Sequence, residues 1–195
     1  MNRSKITLAT TAAALTIGLA GCSTGSTSAD DLPSSASASS SASAHNDQDV
    51  MFAQGMLPHH EQAIEMSDML LKKGDGVDPD VVTLAKQIKT EQQPEITKLT
   101  GWLKDWDAAN SMSGMDHSMS GMMSDSDMTA LDTASATDAG QLFLQQMVEH
   151  HTSAVDMAKA EVDKGKNTDA VAMAKSIVSS QTEQITQMQD MLSSM

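Results

Sequence analysis

Apolar side chains at Val82, Ala85, Ile88, Ile96, Leu99 and Leu103 recur at three- and four-residue steps or their multiples, so they share one face of a helix. Asp78 supplies an N-cap for that helix and Pro79 a first helical residue, and the pattern predicts it to about Asp107. A preceding helix is predicted from about Asp47 to Lys73, where Gly74-Asp75-Gly76 provides a C-terminal stop. Two more are predicted, from about Asp138 to Lys164 with Gly165 as terminator, and from about Thr168 to Leu192. Each would be roughly 35–40 Å long at 1.5 Å per residue. Short connections make each consecutive pair an antiparallel hairpin, and two hairpins that each expose an apolar stripe cover them by packing together. The predicted fold is therefore all-α, a four-helix bundle. Pro58 and Pro94 fall inside helical patterns and are expected to bend rather than start them. Asp127 to Asp132 is compatible with an extra short helix.

The two hairpins are copies of one unit. Phe52, Met56, His59, His60, Ala63, Ile64, Glu65 and Met66 recur in the same order as Phe143, Met147, His150, His151, Ala154, Val155, Asp156 and Met157. Lys73-Gly74 matches Lys164-Gly165. After a two-residue slip in the loop, Asp80, Ala85, Ile88, Gln92, Ile96 and Leu103 match Asp169, Ala174, Ile177, Gln181, Ile185 and Leu192. At position 58 the second unit carries Glu149 instead of proline, which suits an unbroken helix.

The chain before residue 47 is of another kind. Arg3 and Lys5 precede an apolar run from Ile6 to Ala20, too short for a lasting membrane span, that ends in Leu19-Ala20-Gly21-Cys22. Residues 1–21 are read as a lipoprotein signal peptide and Cys22 as the lipidation site, with an ordinary secretory signal as the alternative. Cys22 is the sole cysteine, so neither a disulfide framework nor a thiolate metal site is available to the domain. Residues 22–46 are rich in Ser and Ala without apolar periodicity and are expected to be a disordered tether. The expected domains are thus 1–21, 22–46 and 47–194, the last interrupted by a Met-rich linker at 111–126. The expected location is the outer face of a bacterial cell membrane, reached through the lipid anchor.

Composition narrows the function. The four aromatic residues Phe52, Phe143, Trp102 and Trp106 are too few for a typical β-sandwich. The formal charge is −14, and −16 once Arg3 and Lys5 are removed, which argues against nucleic acid as a partner and suits a cation.

The candidate chemistry lies in the repeated motif. On a helix Met56 neighbours His59 and His60, and Met147 neighbours His150 and His151, with Met66 and Met157 two turns beyond the first histidine of each pair. A pseudo-symmetric bundle would gather these imidazoles and thioethers. Thioether sulfur favours Cu(I), whereas imidazole alone would equally accept zinc, so the mixture points to copper. The competing explanation is packing, because methionine is a common core filler; Met66, Met69, Met157, Met173, Met188 and Met191 individually fit that role. A second candidate group, Met115, His117, Met119 and Met122, sits in the Ser/Gly-rich linker, where there is no core to fill; the bland alternative is compositional drift. Glu65 and Asp156 are candidate acceptors that would orient the histidines. No Glu-x-x-His pair of a di-iron bundle and no His-Glu-x-x-His zinc motif occurs.

The doubled Phe-x-x-x-Met-x-x-His-His-x-x-Ala-x-x-Met signature resembles the family called domain of unknown function 305 (DUF305), over about Asp47 to Leu192. Trp102-Leu103 and Gly121-Met122-Met123 before Asp127-Met128-Thr129-Ala130-Leu131 are similar too. The resemblance implies a ferritin-like bundle that is exported or membrane-anchored. Some members bind copper through Met and His, which by position implicates Met56, His59, His60, Met66, Met147, His150, His151 and Met157. The expected function is sequestration or transfer of Cu(I) outside the cytoplasm, without catalysis, with a copper donor or acceptor protein of the envelope as partner. The alternatives are a copper-dependent redox enzyme and an envelope protein-interaction module whose histidines are structural.

Overall fold

Each predicted helix has a polar residue placed to cap it, and the caps set the observed boundaries. A computed structural model describes residues 44–108 and 121–195. The signal, nearly all of the tether with Cys22, and Met115, His117 and Met119 of the linker lie outside the described residues. Helix α1 (Asp47–Lys72) opens with a capping box: Asn46 accepts from the Gln48 and Asp49 amides, and Asp49 accepts from the Asn46 amide at 2.6 Å. Helix α2 (Pro79–Asp105) starts on Asp78 with Pro79 in the first turn. Ser124, Ser135 and Asn167 cap α3 (Asp125–Thr133), α4 (Ala136–Lys164) and α5 (Thr168–Ser194). The four long helices stand within two residues of the expected bounds, and the extra short helix forms as α3. Helical structure continues unbroken through Pro58 and Pro94, so neither starts a helix.

Helix α1 packs on α2 and α4 on α5, while α1 and α4 form the central pair joining the two hairpins. They run antiparallel. The Asn46 side chain donates to the Lys164 carbonyl at 2.9 Å, and Asp49 accepts from the amides of Lys166 at 3.0 Å and Asn167 at 2.8 Å, so α1 begins where α4 ends.

The core has two apolar parts. One is built on Phe52, Met56, Leu57, Leu99, Ala154 and Ile177; the other on Met66, Leu70, Leu84, Phe143, Leu144 and Met147. Along α1 the chain passes from the first part to the second, and along α4 from the second to the first. The two His-His pairs fall at the crossing, a polar layer between apolar halves. Helix α3 lies against α1 and α4, and seals the second part with fully buried Leu131. Among the described residues no helix is long and apolar enough to cross a membrane.

At the α1 start, Glu161 of α4 is buried beside Asp49. Burial, followed by the neighbouring Asp49 carboxylate, pushes the Glu161 carboxyl up to about 8, and neither of its oxygens has a hydrogen-bond partner. Burial alone would also raise Asp49, but the amides of Asn167, Asn46 and Lys166 and the Glu161 carboxyl outweigh it and hold Asp49 lower. Between pH 4.5 and about 8 folded Glu161 keeps a proton that the unfolded chain releases, so stability falls as pH rises through that window. Glu161→Gln, which removes the titrating group, should flatten this dependence. The gain over wild type at pH 8 relative to pH 5 should be on the order of 2 kcal/mol, discounted for water near the helix end. Denaturant melts at the two pH values measure it; parallel pH profiles would refute a buried, protonated Glu161.

Candidate metal centre

His59, His60, His150 and His151 are all fully buried. The helical register places them. In each motif Met and the two histidines lie three and four residues apart, on the stripe that α1 and α4 turn toward each other. The rings of His59 and His150 are in contact, with centroids 3.7 Å apart and planes tilted by 37°. Those of His150 and His151 are 6.2 Å apart.

Two kinds of histidine result. His60 and His151 each have one ring nitrogen engaged: His60 Nε2 lies 2.8 Å from Glu95 Oε2, and His151 Nε2 lies 2.8 Å from Gln184 Oε1. Their Nδ1 atoms have no hydrogen-bond partner, and neither nitrogen of His59 or His150 has one. Buried polar atoms are ordinarily satisfied, so six unpartnered ring nitrogens in one layer need a reason. Lone pairs kept for a cation account for four of them, one per neutral ring, the remaining two being the N–H groups of His59 and His150.

Electrostatics keep His59, His150 and His151 neutral. Burial, then repulsion from His60 and His151, pushes His59 down to about 3. Burial, then His59, His151 and His60, lowers His150 well below the ordinary histidine range. Burial outweighs the Gln184 hydrogen bond and pushes His151 down to about 4. A neutral imidazole carries the lone pair that a metal needs.

The sulfurs flank this layer in two pairs. Met66 and Met147 belong to one apolar part, Met56 and Met157 to the other; Met56, Met66 and Met147 are fully buried and Met157 partly. Antiparallel packing thus pairs the methionine before one histidine motif with the methionine after the other. Among the described residues no group of three or more His, Cys, Asp or Glu side chains is arranged to hold a metal. These side chains therefore do not form a metal site by themselves, and the thioethers on either side are further candidate donors.

Met122 is half-buried, and residues 121–123 around it bridge α1 and α4. Gln62 of α1 grips the backbone of Met123 through two hydrogen bonds of 2.8 and 2.9 Å. Gly121 lies against Ser153 of α4 with a φ of +84°; a Cβ there would fall 2.0 Å from that of Ser153. Gly121→Ala should cost about 2–3 kcal/mol, against about 1 kcal/mol for Gly74→Ala, whose φ is also positive but whose surroundings are open. Thermal melts of the two variants test this bridge, and equal losses would show that the approach to Ser153 is not tight.

Glu65 and Asp156 do not orient the histidines. Both are exposed, and Asp156 pairs instead with Lys159 at 3.7 Å. Five or six residues past the histidines, they have turned off the buried stripe. The orienting residues are Glu95 and Gln184, on the partner helices α2 and α5. Both sit three residues after the matched Gln92 and Gln181, so they occupy equivalent positions of the repeat. Glu95 also lines a groove of about 560 Å³ between α2 and α5, with Lys98, Trp102, Asp169 and Met173. His45 stacks on Trp106 at 4.7 Å, and Trp106 stacks on Trp102 at 5.8 Å.

Residues 49–192 match the family profile of the domain of unknown function DUF305. The chain belongs to the DUF305 family. A DUF305 crystal structure from Streptomyces coelicolor, a candidate secreted protein, is 34% identical with a TM-score of 0.69; the match covers 75% of this chain and 93% of that one. A DUF305 fragment from Deinococcus radiodurans is 28% identical with a TM-score of 0.69, over 77% and 98% of the two chains. CopM in its Cu(I)-bound form is 29% identical with a TM-score of 0.63, over 75% and 96%. CopM structures with Cu(II) and with silver match as well. No curated protein gives a significant match. The all-helical fold of this DUF305 protein agrees with these relatives.

Proposed function

We propose that this DUF305 protein is an exported copper binder that holds Cu(I) in the histidine layer between α1 and α4 for sequestration or transfer, without turnover. The observation that carries the proposal is the set of six buried ring nitrogens without partners. The similarity to CopM, solved with copper and with silver, supports a copper-related role. His59, His60, His150 and His151 would supply nitrogen, and Met56, Met66, Met147 and Met157 soft sulfur. Silver and Cu(I) share a preference for such ligands. The candidate secreted relative supports export, and Cys22 is the proposed lipid anchor. Met115, His117, Met119 and Met122 are proposed as auxiliary soft donors.

The test is anaerobic competition between tag-free protein and a coloured Cu(I) chelator. Micromolar or tighter binding is expected. Paired alanine substitution at His59/His150 or His60/His151 should remove it, with helical content checked by circular dichroism. Zinc should compete poorly, since thioether sulfur favours Cu(I) over zinc. Unaltered copper uptake by folded histidine variants would refute the assignment.

A further inference from the structure

The polar groups around the histidine layer form a directed chain that crosses from one hairpin to the other. Gln184 Nε2 lies 2.8 Å from Glu91 Oε2, and Gln87 donates to Glu91 Oε1 at 2.9 Å. A carboxylate accepts and cannot donate, so the Gln184 atom facing Glu91 must be its NH2. That orientation turns the Gln184 carbonyl toward His151, 2.8 Å away. A carbonyl also only accepts, so the His151 nitrogen facing it, Nε2, must carry the hydrogen. In a neutral imidazole the lone pair then falls on Nδ1, which is buried and has no partner.

We infer that Glu91 and Gln184 are positioning residues that lock His151 in its Nε2–H tautomer, so that Nδ1 is the nitrogen offered to the metal. The offer to metal rests on the copper-binding function proposed above; the tautomer lock does not.

The first hairpin explains why a second residue is needed. The repeat partner of Gln184 is Glu95, which faces His60 Nε2 directly at 2.8 Å. A carboxylate is an unambiguous acceptor, but an amide can turn either end toward the ring. Glu91 removes that ambiguity. It comes from α2, so the histidine of the second hairpin is oriented by a residue of the first.

The test uses the full chain, metal-free and labelled with 15N-histidine, in a two-bond 15N–1H correlation spectrum that separates the tautomers. Wild type should show His151 as Nε2–H alone. Glu91→Gln replaces the pure acceptor by a group that can donate or accept; His151 should become a mixture of tautomers and Cu(I) affinity should drop about 10–100-fold. Adding Gln184→Glu to that variant places a pure acceptor beside His151 again and should restore both the Nε2–H signature and the affinity. An unchanged His151 tautomer in Glu91→Gln overturns the positioning role. A wild type locked in the Nε2–H form that takes up no copper overturns the copper function and upholds the lock.

Discussion

Replacing His59 and His150 together by leucine is expected to stabilise the metal-free domain while lowering its Cu(I) affinity by a factor of at least 100. The two rings are fully buried and none of their four nitrogens has a hydrogen-bond partner. Leaving a buried polar group unsatisfied costs about 1–3 kcal/mol, and both substitutions remove such groups. Against this stands the contact of the two rings at 3.7 Å, worth about 0.5–1.5 kcal/mol if it behaves as an aromatic pair, and a change of shape. Desolvation wins, and a net gain of roughly 1–3 kcal/mol is expected. Gain of stability with loss of function marks a site retained for its chemistry. A histidine pair that served packing would behave oppositely. Denaturant unfolding with a chelator present gives the first quantity and Cu(I) competition the second. A stability loss beyond about 1 kcal/mol would show the pair to be structural and sink the metal centre.

The periodic parts of this structure were legible in the sequence because local chemistry enforces them. Asp78-Pro79 starts α2 as its backbone preferences dictate, and Gly165 ends α4 in an extended conformation where the close approach of Glu161 leaves no room for a Cβ. The doubled motif foretold that the histidines would meet, since two copies of one apolar stripe bury each other. What the repeat left open was the direction of α1 against α4. The antiparallel arrangement puts Met56 and Met157 in one apolar part of the core and Met66 and Met147 in the other. The orienting residues were missed for a related reason. Glu91, Glu95 and Gln184 read as ordinary polar positions on amphipathic helices, and only tertiary packing brings them to the rings. Glu65 and Asp156 stood closer in sequence but on the wrong side of the helix.

Acid should dismantle the metal-free domain in a window set by the same histidines. His59 is pushed down to about 3, His151 to about 4, and His150 lies well below its ordinary range, all chiefly through burial. Below about pH 6.5 the unfolded chain takes up protons on these three rings while the folded chain does not. Their contribution is intact above that pH and falls away as the pH drops toward 4. Three such groups give a limiting slope of about 4 kcal/mol per pH unit, enough to exhaust a typical domain stability of about 5–15 kcal/mol within a few units. Glu161 acts with the opposite sign in part of this window, but it is one group against three. Unfolding free energy followed from pH 7 to 4 should show uptake approaching three protons, and His59→Leu/His150→Leu should reduce it by about two. Uptake of one proton or fewer in wild type would mean that the buried rings charge freely in the folded state. The desolvation that makes the layer fragile in acid also serves binding. Rings already stripped of their protons at neutral pH can accept a metal ion with little proton release, so Cu(I) uptake should vary little with pH above about 6.5 and weaken only where the domain itself begins to fail.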